Sequence, residues 1–438
     1  MRFVSTRDEN NKVGFKQAVL DCMPQDGGLY IIDECEDLRK WILYADEKTS
    51  FANIAGSLTS AFINEEFSPI ICEAIATYAF DYEPVLKKLD DHLYVLELFH
   101  GPTGTYKDFG TSYLAAAIET MLIMDKSSSI LFGTTTGILG VSLARALEGK
   151  SETKGVLLYP KGCVRGLKDS DLFWNGGNVY PVEIDGSEED CHNLMRKIME
   201  ERACVEKYHL TVANTANIGR LLPQSFFYTF AFTRLKKEVF GDIYYSQVAG
   251  NYGNIVSGLY SWKVALPVNG FIVPSTPNLC LDVTGKCTVM DSIIPLDKRA
   301  KADPADPSNI ERLEHIFKAN SLLLRSFIFP SPVSQKETED AARELFVKYH
   351  YFADRETSSA YAATKKRSDI VQNDEGTVVL IARDDPALNN DFIKSNIGES
   401  APVSDNIKKS FDKNILNKKI LAKDDIEGLK AVFDSVSE

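Results

Sequence analysis

Short apolar runs alternate with segments of helical period through the middle of the chain. Leu93-Tyr94-Val95-Leu96-Glu97-Leu98-Phe99 reads as a buried strand, followed by a helical stretch from Ser112 to Met124. Ser129 to Phe132 precedes a second helical pattern, Gly137 to Leu147. Gly155 to Tyr159 and Val179 to Ile184 are strands on either side of a Gly-rich turn, with a helix from Glu188 to Arg202 after them. A long helical pattern covers Arg220 to Phe240, and Ile243 to Val248 reads as a strand entering a Gly/Asn turn and helix. Phe271 to Val273 and Val378 to Ile381 are further strand candidates. Apolar strands alternating with helices predict an α/β fold of mostly parallel sheets with helices on both faces, because such strands bury both of their sides. Ala302 to Asn309 reads as a loop in which Ser308 or Asn309 caps the next helix. From Gly398 the chain is polar and Lys-rich, and Asp424 to Val436 predicts a short closing helix.

The 438 residues suffice for two large domains or about three of ordinary size. The pattern predicts an α-rich region over 1–92, a first α/β domain over 93–235, a second over 236–400, and a tail with its helix over 401–438. With 44% hydrophobic and 25% charged residues, collagen-like and disordered classes are excluded. The net charge of −13 argues against a nucleic-acid partner. None of the eight cysteines forms a C-x-x-C pair, which leaves a zinc ribbon or dithiol redox site without support. Only His100 of the six histidines falls in a motif, so no metal site is expected. The opening Met1 to Asp8 lacks an apolar signal core, and no apolar run approaches the roughly 18 residues of a membrane span. These features predict a cytoplasmic protein with reduced thiols and no membrane contact.

Open α/β sheets bind ligands at the carboxyl ends of their strands, so the strand-to-helix turns are the places to search. In Glu97 to Gly110, Lys107 stands alone in a turn of Gly, Pro and Thr just before a helix. A helix N-terminus disfavours its charge, which helps the amine act as a nucleophile; a solvated loop lysine would have the same sequence. Ala249-Gly250-Asn251-Tyr252-Gly253-Asn254 suits a phosphate cradle of converging backbone N–H groups, or a tight turn with no ligand. Thr134-Thr135-Thr136-Gly137, at another helix start, suits a small carboxylate or simple capping. No acidic residue ends the next strand, Leu158-Tyr159-Pro160-Lys161, so a dinucleotide is not supported. Asn214 to Arg220 adds amides and a guanidinium that suit a phosphate or carboxylate, or a capped helix start with a solvated arginine. One lysine, one phosphate cradle and one carboxylate loop together fit a pyridoxal-phosphate (PLP) enzyme.

The order and wording of these motifs resemble threonine synthase of the longer bacterial and fungal type. Glu97 to Gly110 is similar to the family's E-L-F-H-G-P-T-x-x-F-K-D-F-G, with Tyr106 in place of phenylalanine. Gly250 to Asn254 is similar to G-N-F-G-N, and Ala213 to Arg220 to A-N-S-I-N-I-S-R. Ser5-Thr6-Arg7, Gly27 to Tyr30, Tyr159 to Gly162, Gly176-Gly177-Asn178 and Asp306 to Asn309 also fit. The resemblance implies a two-domain, fold-type II PLP enzyme of the tryptophan-synthase-β type, acting on O-phospho-L-homoserine as monomer or homodimer. It would form L-threonine and phosphate. Lys107 would carry PLP as a Schiff base and serve as acid and base, while Gly250, Asn251, Tyr252, Gly253 and Asn254 would hold the cofactor phosphate. Thr135, Thr136 and Gly137 would bind the substrate carboxylate, and Asn217 and Arg220 its phosphate. A phospholyase or dehydratase on a related phosphorylated amino acid, or a catalytically silent PLP-binding homologue, are the alternatives.

Three segments depart from the family. Where it reads T-S-G-D-T-G, this chain reads Thr135-Thr136-Gly137-Ile138-Leu139-Gly140, so Ile138 replaces an aspartate and Leu139 a threonine. Its T-A-H-P becomes Arg383-Asp384-Asp385-Pro386, which puts Arg383 where a threonine meets the pyridine nitrogen. Arg383 is expected to reach that nitrogen, or else to point to solvent and pair with Asp384 or Asp385. Cys163 replaces an arginine.

Overall fold

In the computed structural model, which describes residues 3–162, 178–290, 294–317, 321–367, 369–370, 376–411 and 419–437, the strands sort into two large sheets. β1 (Phe3–Ser5) and β2 (Tyr30–Ile32) form a small antiparallel pair apart from both. The hairpin β3 (Val85–Asp90) and β4 (Leu93–Glu97) starts the six-stranded sheet. β5 (Ser129–Thr134), β6 (Thr153–Pro160), β7 (Val179–Asp185) and β8 (Leu210–Val212) build the five-stranded sheet. β9 (Ile243–Ser246) and β10 (Gly270–Pro274) return to the first sheet, and β11 (Leu279–Leu281) pairs only with β12 (Cys287–Val289). β13 (Ile328–Ser331) and β14 (Thr377–Ala382) complete the six-stranded sheet, and β15 (Lys419–Ala422) the other.

The six-stranded order is β13-β10-β9-β14-β4-β3, parallel throughout except for β3. The five-stranded order is β15-β7-β6-β5-β8, all parallel. β4 and β14 are buried at every position, which is why both read as unbroken apolar runs. β3 carries Lys87 and Lys88 on an exposed edge, where charge discourages pairing with another chain.

Strand pairing does not follow the expected boundaries. β4, expected in the first α/β unit, pairs with β14, Leu96 opposite Ile381. β15, expected in a separate tail, pairs with β7, Leu421 opposite Ile184. Both partners lie far away in sequence, and no local pattern records them. The helix expected over Arg220 to Phe240 is broken into Ile218–Leu221, a 3-10 turn Leu222–Ser225 and Phe226–Leu235. Pro223 has no N–H for the ladder and its ring crowds the preceding turn. Before the helix Ile310–Ile316, the Ser308 hydroxyl accepts the Ile310 N–H at 3.4 Å, while the Asn309 amide turns to Thr215 and Arg312. Cys163, Gly176 and Gly177 lie outside the described residues.

The closing helix, Ile426–Ser437, buries Leu429, Val432, Phe433 and Val436 in the core of the five-stranded sheet. The Phe433 ring meets Phe132 of β5 edge-on at 5.2 Å and Tyr208 at 5.3 Å. Phe433→Ala should therefore lower the unfolding free energy by about 3–5 kcal/mol in a denaturant titration. A loss below about 1 kcal/mol would mean that this helix is not part of the core.

Candidate active site

The loop after β4 delivers Lys107 as the first residue of the helix Lys107–Asp125, five residues earlier than the helical pattern suggests. Its shape is set by Asp108, which is 1% exposed. The Asp108 carboxylate accepts the Thr103 N–H at 2.8 Å, the Thr103 hydroxyl at 2.5 Å and the Ser142 hydroxyl at 2.7 Å. Ser142 comes from the neighbouring helix Ile138–Leu147 and also meets the Thr111 hydroxyl at 2.7 Å. Burial pushes the Asp108 carboxyl up from its ordinary pKa, while its bonds to Thr103 and Ser142 and the charge of Arg220 act against that. A Cβ at Gly101 would stand 2.6 Å from Asp108 Oδ2, so only glycine permits this approach. Residues 383–385 lace the other side of the loop. Tyr106 N–H donates to the Arg383 carbonyl at 2.7 Å, and Asp385 N–H to the Gly104 carbonyl at 2.8 Å.

Lys107 opens onto a cavity of about 300 Å³, shared with Thr134 to Leu139, Pro160, and Glu188, Cys191 and His192 of the helix Glu188–Glu200. Ala305 and Asp306 also line it. Thr135, expected to bind a carboxylate, has its hydroxyl occupied: it accepts the Gly137 and Gly140 N–H groups at 3.0 and 2.9 Å and donates to the Gly137 carbonyl. It shapes the loop instead. Thr136 and Gly137 do line the cavity, and the N–H groups of Thr136, Ile138 and Leu139 have no acceptor among the described residues. Donors at a helix start suit a carboxylate. Ile138 and Leu139 stand in the wall beside Lys107.

Between β9 and the helix Gly253–Lys263, Gly250 and Tyr252 both adopt left-handed backbone, with φ of +52° and +67°. The N–H groups of Gly250, Asn251 and Asn254 have no acceptor among the described residues. The Asn251 amide is used locally, donating to the Thr215 hydroxyl at 2.8 Å and accepting the Gly253 N–H at 3.3 Å. A Cβ at Gly253 would press on Asn251 Oδ1 and Leu221 Cδ1, each at 3.2 Å. Free loop N–H groups at a helix start and an amine that a carbonyl can reach are the donor set PLP requires, and these residues fit it.

Arg383 pairs with neither carboxylate beside it in sequence. Its Nε donates to Glu356 at 2.7 Å and Nη2 pairs with the same carboxylate. Asp384 accepts the Thr105 hydroxyl, and Asp385 caps the turn at Ala387. The Arg383 side chain is 12% exposed, not solvated. Burial opposes its charge, yet Tyr106, Glu356 and Asp384 hold its pKa above the ordinary value.

Asn217 is not placed to meet a substrate phosphate. It is fully buried as a helix cap: Oδ1 accepts the Gly219 N–H at 2.9 Å, and Nδ2 donates to the Val19 carbonyl at 2.8 Å and the Thr211 hydroxyl at 3.0 Å. Arg220 differs. Its guanidinium lies across Gly110, where a Cβ would fall 1.6 Å from Nη1. Gly110 is on the Lys107 face of the helix, three residues on. Arg220 is buried, and its Nε and Nη1 have no hydrogen-bond partner among the described residues. Burial pulls its pKa down, against the nearby Tyr106, Asp108 and Tyr82. Glu356 and Ser142 carried no recognisable sequence signal of their roles, because each acts through a residue distant in the chain; Gly110 closes the lysine motif, but the arginine it admits is not legible there.

Residues 2–80 match the family described as Threonine synthase N terminus. The chain is 26% identical over 406 residues to the threonine synthase of Serratia marcescens, covering 92% of each chain. It is 28% identical over 369 residues to that of Escherichia coli strain K12, covering 83% of this chain and 85% of the relative. The structure of PLP-bound threonine synthase from Brucella melitensis superposes with a TM-score of 0.84 at 21% identity, over the whole of both chains. The mixed α/β fold, with its mostly parallel sheets, is that of these fold-type II structures. The resemblance to threonine synthase read from the lysine and phosphate-loop motifs therefore holds over nine-tenths of the chain in sequence and over all of it in fold.

Proposed function

We propose that this chain is a PLP-dependent carbon–oxygen lyase that converts O-phospho-L-homoserine and water to L-threonine and phosphate. The observation that carries the reading is the buried Arg220 guanidinium, whose Nε and Nη1 have no hydrogen-bond partner among the described residues and which lies across Gly110, one helical turn from Lys107. Burying a guanidinium with hydrogen bonds left unmade costs several kcal/mol, and an anionic substrate group would relieve it. Full-length similarity to threonine synthases supports the same chemistry.

Lys107 Nζ would hold the cofactor covalently, and the loop N–H groups of Gly250, Asn251 and Asn254 would take its phosphate, with Tyr252 and Gly253 setting the turn. Bound there, PLP supplies an electron sink for negative charge on the substrate carbons. The N–H groups of Thr136, Ile138 and Leu139 would orient the substrate carboxylate. Lys107 Nζ, held at the cavity wall, would take protons from the substrate α- and β-carbons so that the γ-phosphate can leave, and would return protons to the γ- and α-carbons as water adds at the β-carbon. Arg220 would grip the γ-phosphate and stabilise it as it leaves. No helix of the described residues is long and apolar enough to cross a membrane. A cytoplasmic monomer or homodimer without nucleic-acid partners completes the reading.

A second reading comes from Ile138 and Leu139, two apolar side chains in the cavity wall. They offer an attacking water no hydrogen bond, which favours elimination of phosphate without hydration. Incubation with O-phosphohomoserine, with products identified by mass spectrometry, separates the two. Threonine supports the synthase, and an oxo acid with ammonia supports the lyase. Borohydride reduction of the holoenzyme and peptide mapping should place the cofactor on Lys107; a label on another lysine would sink the assignment. Arg220→Ala should raise KM for the phosphorylated substrate roughly tenfold to a hundredfold, the size of a lost charge-assisted contact. Equal weakening of an unphosphorylated analogue would make the residue's role structural.

A further inference from the structure

The neighbours of Arg383 over-determine its position. Nε and Nη2 both face Glu356. That carboxylate stands in the first turn of the helix Arg355–Lys366, where the helix dipole favours negative charge. On its other side the guanidinium lies 4.7 Å from the centre of the Tyr106 ring, a cation–π distance. The Arg383 carbonyl accepts the Tyr106 N–H, so the arginine and the lysine loop are registered to one another.

Two nitrogens of the fork are thus committed and the third is not. Nη1 has no partner among the described residues, and it stands 3.4 Å from where a Cβ at Gly250 would be. Gly250 opens the loop whose own N–H groups, with those of Asn251 and Asn254, also lack acceptors. A guanidinium can only donate. Donors from a loop and from a fixed cation beside it make a site for an anion, and a phosphate monoester offers enough oxygens for all of them.

We propose that Arg383 is the charged arm of the phosphate cradle, with Nη1 donating to the cofactor phosphate at residues 250–254 and Glu356 as the positioning residue that aims it. The proposal rests on the reading of the site as PLP-binding, and it assigns Arg383 to the phosphate end of the cofactor in place of the ring nitrogen. Glu356 takes two of the three nitrogens and leaves the fork one direction in which to donate. Tyr106 holds the guanidinium plane against rotation.

The test is titration of the full-length apo-protein with PLP and, separately, with pyridoxal, which has the ring and aldehyde but no phosphate. Arg383→Ala should weaken PLP roughly tenfold to a hundredfold and leave pyridoxal within about threefold. Glu356→Gln, which keeps the shape and removes the charge, should weaken PLP by about threefold to tenfold with the same selectivity. If Arg383→Ala does not fold, Glu356→Gln decides alone. Equal losses for both ligands would move Arg383 to the ring end and overturn the clamp, as would unchanged PLP affinity. A wild-type protein that binds neither ligand would overturn the PLP reading itself, a different failure from loss of selectivity.

Discussion

The site depends on one buried carboxylate. Asp108 ties the loop at Thr103 to the helix it begins and, through Ser142, to the next helix. Lys107 is its chain neighbour, so fixing Asp108 fixes the direction in which the lysine leaves the helix. The cost of burying the carboxylate is offset by three hydrogen bonds and by Arg220 nearby. The close contact at Gly101 shows how tightly the loop must wrap to make those bonds.

Two arginines stand near this helix in opposite states. Arg383 has a full counter-charge in Glu356, an aromatic face in Tyr106, and one nitrogen left over. Arg220 has no hydrogen-bond partner on Nε or Nη1 among the described residues, and only the fields of Tyr106, Asp108 and Tyr82 favour its charge. A paired cation is a fixed part of a binding wall; an unpaired buried one is a place where a ligand's charge is worth most. The pair fits a site that handles two anions, one resident and one exchanged at each turnover.

The two sheets contribute different walls. Lys107 follows β4 and the glycine loop follows β9, both in the six-stranded sheet. The threonine loop follows β5 of the five-stranded sheet. All three leave the carboxyl ends of parallel strands, where unsatisfied helix N-termini gather. The tail adds a cover: Ile407, in the helix Asp405–Phe411, packs so close to Gly104 that a Cβ there would meet it at 2.6 Å. Ser410 donates to the Pro102 carbonyl.

The sequence by itself determined the α/β class, because strands buried on both faces read as continuous apolar runs, as Leu93 to Leu96 of β4, Val156 to Tyr159 of β6 and Val378 to Ala382 of β14 do. It also marked the three strand-to-helix turns searched for a site, since glycine, lysine and hydroxyl residues at strand ends carry local backbone demands such as the left-handed Gly250. Tertiary structure alone decided which strand pairs with which, so that β4 left the unit its position suggested and β15 joined the sheet of β7. It decided too that Asn217 and the Thr135 hydroxyl are spent on backbone groups, while Arg220 is not. Polar side chains of one type can serve a ligand or a loop with the same local sequence. The choice is made by what else is buried within hydrogen-bond reach, and for Asn217 those groups include Val19, nearly two hundred residues away in the chain.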